Sequence, residues 1–284
     1  MTWLRVLPPL FALAGCGFEL PRAAGGGDAP ADADTDAPRD MAGDEGNAVV
    51  PCGTPNANGL IACYEMEDGF TDGRLSDSAP GRRDAISTGM IAAQRPLPLS
   101  VAAQVTPIAN TRVSQDPVLD RFAGYTLAMW VHPDSLPTSG TVYGLADHEL
   151  QYAMLIANNG AVEESRCVHT GVTRFEWTEG LPTSEWSFLA CTWDGTFLCA
   201  YRWTSTTSHQ HFCHRVTTQP QSVGAQGLAI GHLSNEGTPH SRFDGALDSV
   251  QLYDHGLGED ELCAIIGEPA GCLPCNTCET VNRE

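Results

Sequence analysis

Residues 186–204 read WSFLACTWDGTFLCAYRWT. Two short apolar runs flank Asp194-Gly195, and each carries one cysteine, Cys191 and Cys199. Apolar runs of this length split by an Asp-Gly pair predict an antiparallel hairpin. A three-residue loop around the pair sets Cys191 opposite Cys199, at a Cβ separation of about 4.5–5.5 Å that local twist brings within disulfide reach. A two-residue turn shifts that register by one and sends the thiols to opposite faces. Cys213, across the next turn, and Cys167, on an upstream run, are further partners. Disulfides are expected among these four cysteines with the pairing open, and buried free thiols are the alternative.

Outward from this hairpin the same grammar repeats. Strands are expected at 60–66, 125–133, 140–146, 152–158, 165–171, 174–178, 187–193, 196–203, 210–216, 228–233 and 245–255, with Gly, Asn, Asp and Pro between them. Many short strands at even spacing predict an all-β sandwich or barrel. Only 257–266 has helical spacing, with Leu257, Leu262 and Ile265 or Ile266 on one face and acids in its first turn.

The chain begins with one charge, Arg5, and an apolar run shorter than the ~20 residues a membrane helix needs. That pattern is a secretory signal over residues 1–15. It ends in LAGC, Leu13 to Cys16, which resembles the lipobox of bacterial lipoproteins; the resemblance implies a lipid on Cys16. Gly17 beside it implies the outer membrane, on its periplasmic face or at the cell surface. Residues 16–50, rich in Ala, Gly, Asp and Pro, are expected to be the lipidated cysteine and a disordered acidic linker. A flexible chain of that length spans roughly 30 Å.

The 284 residues hold eleven cysteines and a net charge of −20. With Cys16 set aside, Cys52, Cys63, Cys167, Cys191, Cys199, Cys213, Cys263, Cys272, Cys275 and Cys278 remain, an even set that fits disulfides in an oxidising compartment. The charge argues against nucleic acid and against contact with an anionic membrane surface other than through the lipid. All fifteen basic residues are arginine, which removes Schiff-base and P-loop lysine chemistry.

Four blocks in order carry a family resemblance. GLIACYEMEDGF with LSDSAPG (59–81), YTLAMWVHPDSLP (125–137), LPTSEWSFLACTWDGTFLCAYRW (181–203) and RFDGALDSVQLYDHGLGEDEL (242–262) are similar to successive segments of LamG-like domains of the concanavalin A-like superfamily. The resemblance implies an all-β, two-sheet antiparallel jelly roll over 51–268, with one short C-terminal helix and its first and last strands adjacent. The cysteine-rich 269–284 forms a tail. Residues 89–122 depart from the family pattern, and YRWT replaces its strand-end glycine, so the turn after Trp203 differs.

Several groups invite chemistry. Cys263 with Cys272, Cys275 and Cys278 has zinc-ligand character, but in an exported chain disulfides with Cys52 and Cys63 are the stronger expectation. His209 and His211 share a strand face, with His214 on the other; two such histidines need a third ligand to hold a metal. By the resemblance, Asp77, Asp244 and Asp248 are the positions for a calcium ion, a cofactor that is not required. Trp177, Tyr201 and Trp203 are candidates for stacking on a sugar ring, with Phe175 nearby, whereas Trp130, Trp186 and Trp193 match core positions. Retaining β-glucanases of this fold set two carboxylates about 5–5.5 Å apart. Glu65 and Glu67 share a face here without a third acid, so no catalytic residue is expected. The expected function is non-catalytic recognition of a polysaccharide or glycoprotein. A structural envelope protein making protein contacts and a glycan hydrolase are the alternatives.

Overall fold

The computed structural model describes residues 58–267 except 68–69, 71, 95–100, 121–122, 150, 161–162, 171, 174–179, 184, 205–209, 221–226 and 236. The signal, the linker, the cysteine-rich tail, Cys16, Cys52, Trp177 and His209 lie outside the described residues, as does the expected strand at 174–178. No described helix is long and apolar enough to cross a membrane.

Sixteen strands and one α-helix are described: β1 (Leu60–Tyr64), β2 (Arg74–Leu75), β3 (Ala85–Gln94), β4 (Val101–Val113), β5 (Tyr125–Pro133), β6 (Val142–Asp147), β7 (Tyr152–Asn158), β8 (Glu163–His169), β9 (Val172–Thr173), β10 (Ser187–Trp193), β11 (Phe197–Thr204), β12 (Gln210–Arg215), β13 (Ala229–Ile230), β14 (Leu233–Asn235), β15 (Thr238–His240), β16 (Gly245–Tyr253) and α1 (Glu259–Ile266). The front sheet runs β12-β11-β10-β5-β16-β1, and the back sheet runs β9-β8-β7-β6-β13-β4-β3-β2, every pair antiparallel. The two meet where β4 pairs with β16 at one end and with β13 at the other. First and last strands, β1 and β16, are neighbours. The all-β jelly roll expected from the resemblance is what the chain forms.

Strand alternation divides the side chains. Tyr125, Leu127, Met129 and Val131 of β5, Leu189, Cys191 and Trp193 of β10, and Tyr152, Met154 and Ile156 of β7 meet between the sheets in one buried core. At roughly 25 cal/mol per Å² of apolar surface, this core is the main source of stability. Cys167 of β8 and Cys191 of β10 are disulfide-bonded across the layers, both buried. At the core's end, buried His148 bonds Asp120, and Tyr152 donates to the Leu119 carbonyl. Trp193 Nε1 donates to the Val216 carbonyl, and His169 Nε2 lies 2.8 Å from the Thr218 carbonyl oxygen. Gly144 admits close approach: a Cβ there would stand 2.3 Å from the Leu233 backbone nitrogen.

The hairpin that opened the sequence corrects one expectation. Cys191 pairs in register with Ala200 and Cys199 with Thr192, so the two thiols face opposite ways. The cause is the turn. Asp194 Oδ1 accepts from the backbone N–H of Thr196 and of Phe197, and Gly195 takes φ +93°. Asp194 therefore opens a two-residue turn over Gly195 and Thr196 rather than sitting inside a three-residue loop. Cys199 instead bonds Cys213, directly opposite on β12. Cys63 and Cys263 each take part in a disulfide as well.

The sequence reading missed the β3–β4 hairpin, which overlaps the stretch where the chain departs from the family pattern, and the short β2, β9, β14 and β15. It also ran 228–233 as one strand; the structure breaks it at Gly231, φ +78°.

Candidate functional site

The outward face of the front sheet is built in rows across the strands. One row runs Tyr253–Thr126–Thr192–Cys199–Cys213, and the next Gln251–Ala128–Ala190–Tyr201–His211. A third runs Asp248–Trp130–Phe188–Trp203, followed by Ala246 beside His132 of β5. Small side chains at Ala128 and Ala190 leave room for α1. The helix buries Leu262, Cys263, Ile265 and Ile266 there, against Leu60, Cys63 and Tyr253. Acids occupy its first turn, and the Gly258 N–H donates to Glu261 Oε2, capping it.

Away from the helix the rows become aromatic. Trp130 meets Phe188 with ring centroids 5.5 Å apart and Trp203 edge-on at 5.3 Å. Trp186 lies 5.4 Å from His132. Trp130 and Phe188 are buried beneath, whereas Trp186 and Trp203 are half-buried. Partly open indole rings at the edge of such a cluster suit the C–H face of a sugar. Two acids border it: Asp248, 1% exposed and accepting from Ser249 Oγ, and the exposed Asp134, whose Oδ2 accepts from Gln104 Nε2 at 2.6 Å.

Nearer the helix a recess of about 590 Å³ is lined by Tyr201, Gly258, Glu259, Asp260 and Glu261. Tyr201 stacks on His211 at 4.3 Å, and burial first, then the Glu259 carboxylate, pushes its hydroxyl up to about 12. His211 Nδ1 lies 3.0 Å from Glu259 Oε1. Burial nonetheless lowers its pKa against the pull of that carboxylate.

The sequence-predicted residues fall as follows. Trp203 belongs to the aromatic row. Tyr201 belongs to the adjoining row and is 5% exposed, with its open side toward the recess. Trp193 packs in the core between the sheets, while Trp130, buried, and Trp186 against it pack in a second core cluster on the outward face. Parity alone carries this: Trp186 and Phe188 alternate with Ser187, Leu189 and Trp193, so the indoles of Trp186 and Trp193 oppose one another. Asp77, Asp244 and Asp248 are not brought together as a ligand cluster. Asp77 is buried and accepts the backbone N–H groups of Cys63, Ala79 and Arg83 at 2.8, 2.9 and 2.6 Å. Asp244 accepts from Ser135 Oγ. Among the described residues, Cys199, His211 and Cys213 form the one group of three metal-capable side chains with converging atoms.

These features sit in a recognised class of fold. The chain belongs to the concanavalin A-like lectin/glucanase superfamily, whose laminin-G-type family model matches residues 109–263. Domain 4 of an extracellular GH43 arabinanase from Geobacillus stearothermophilus, solved with arabinotriose, is similar. It is 18% identical with a TM-score of 0.50, over 73% of this chain and 98% of that one. The binding domain of Paraclostridial Mosquitocidal Protein 1 is also similar, at 11% identity and a TM-score of 0.51, over 74% of this chain and 52% of that one. This chain thus spans about half of the toxin domain's length. At these identities the likeness concerns the fold. No curated protein sequence matches the chain.

Proposed function

We propose that this protein is a lipid-anchored envelope lectin. It is a non-catalytic concanavalin A-like domain that docks a polysaccharide or the glycan of a glycoprotein, held at the outer membrane through Cys16. The observation that carries the reading is the outward aromatic row Trp130–Phe188–Trp203 with Trp186 beside it. There, buried rings form a floor and half-buried indoles form the contact edge. The solved relative with bound arabinotriose supports the ligand class. A net charge of −20 repels anionic glycans, which favours neutral or amino sugars.

A binding role, rather than a reaction, is what the acids at the aromatic face support. Glycoside hydrolysis uses two carboxyl groups flanking the scissile bond. At this face Asp248 is buried in register with Trp130, and Asp134 is tied to Gln104.

The test is a glycan array and calorimetry on the full chain, with and without EDTA, together with a reducing-sugar assay on any glycan retained. The expected result is retention of a neutral or amino-sugar glycan, unchanged by EDTA, without new reducing ends. Retention of no glycan overturns the reading in favour of a structural envelope component. Release of reducing ends overturns it in favour of a hydrolase.

A further inference from the structure

At the β11–β12 edge the front sheet holds a cluster that glycan docking does not use. The strands set Cys199 opposite Cys213, where a disulfide joins them, and Tyr201 opposite His211 one row along. His211 Nε2 lies 2.9 Å from Cys213 Sγ. Its other ring nitrogen faces Glu259 at the start of α1, 3.0 Å away. Tyr201 stacks on the ring and fixes its plane. The ligating atoms of Cys199, His211 and Cys213 all lie within 4.8 Å of one another.

We propose that this corner is a conditional zinc site, in which the reduced Cys199–Cys213 pair and His211 Nε2 hold one divalent cation that the disulfide excludes when it forms. Two thiolates and an imidazole are three of the four donors of a tetrahedral zinc centre, with the fourth position left to water. Glu259 plays the part that carboxylates take behind metal-bound histidines, holding Nδ1 so that Nε2 faces the ion. The recess lined by Tyr201 and Gly258–Glu261 shares Tyr201 and Glu259 with the cluster. The two states exchange by ordinary chemistry. A dithiol supplies two electrons and two protons, the Cys199–Cys213 bond breaks to two thiols, and the dithiol leaves as its cyclic disulfide. Zinc then displaces both thiol protons to solvent. In either state β12, the edge strand, stays clamped to β11.

Zinc uptake by the full chain is measured by competition with a chromogenic chelator, oxidised and then reduced. The reductant is a water-soluble phosphine, which delivers the same two electrons and leaves as its oxide with oxygen from water. Zinc taken by other freed cysteines is subtracted with the Cys199→Ser/Cys213→Ser chain. The expected result is one additional zinc in the reduced chain. Its affinity falls at least 100-fold in His211→Ala and roughly 10- to 100-fold in Glu259→Gln. Mass-spectrometric mapping of alkylation reads the same site even where reduction loosens the fold. Zinc should slow alkylation of Cys199 and Cys213 in the parent chain and not in His211→Ala. Equal uptake by the parent, His211→Ala and double-serine chains overturns the proposal, as does alkylation of the two cysteines that zinc leaves unchanged.

Discussion

Replacing Cys167 and Cys191 together by alanine removes the covalent tie between the sheets, and the structure sets the size of the effect. The bond closes a loop with a sequence separation of 24. Chain-entropy reasoning assigns a closure of that length about 3.5 kcal/mol. Both sulfurs are buried in the core between the sheets, so their loss leaves unfilled space worth on the order of 1 kcal/mol more. The bond between Cys199 and Cys213 closes a shorter loop, with a separation of 14, worth about 3.0 kcal/mol. One of its partners is only partly buried, so the cavity contribution there is smaller. Urea unfolding and thermal melts of the two double-alanine chains test this. The Cys167→Ala/Cys191→Ala chain should lose about 4–5 kcal/mol and melt roughly 10–15 °C lower, the larger loss of the two. A loss below about 1 kcal/mol, or the reverse ranking, refutes the reasoning.

Two further expectations concern buried polar groups. His148 and His169 are held below the ordinary imidazole pKa, chiefly by burial, with Asp120 and the Thr218 carbonyl pulling the other way. The unfolded chain therefore binds more protons on the acid side, and stability present above about pH 6.5 falls as pH drops below it. His148→Gln should flatten the fall in urea midpoint between about pH 7.5 and about pH 5; an unchanged slope counts against the assignment. Asp77→Ala leaves three backbone N–H groups near β1 without their acceptor. It should cost about 2–4 kcal/mol whether or not calcium is present, and a loss that appears only with calcium would assign Asp77 to an ion instead.

The fold was legible because strands pair by pattern. YTLAMWVHP, YAMLIAN and SFLACTW begin and end in the structure where their alternation and flanking turn residues place them. The hairpin register was not legible from Asp194-Gly195 alone. Whether Asp194 sits inside the loop or opens the turn depends on which N–H groups its carboxylate accepts, and a one-residue difference reverses every side chain. The β3–β4 hairpin escaped notice because Ala, Ser, Thr and Gly dilute its alternation, and its register shifts beside Gly89, φ +72°. For the candidate site, Trp203 and Tyr201 were visible as strand aromatics. Trp130 and Trp186 pack as their core positions imply, though the resemblance did not say on which side of the sheet. Trp130 is buried, but against Phe188 and Trp203 on the outward side. The calcium positions rested on the resemblance alone, and an Asp at a turn serves the backbone as readily as an ion; Asp77 does so here.

The aromatic face is tested most directly by isothermal calorimetry of the full chain and its Trp203→Ala variant, using the tightest-retained neutral glycan. Circular dichroism confirms that both are folded. An indole that carries sugar contact is worth about 2 kcal/mol, so Kd should rise roughly 30-fold. A folded Trp203→Ala chain that binds with the parent's Kd contradicts docking on this face.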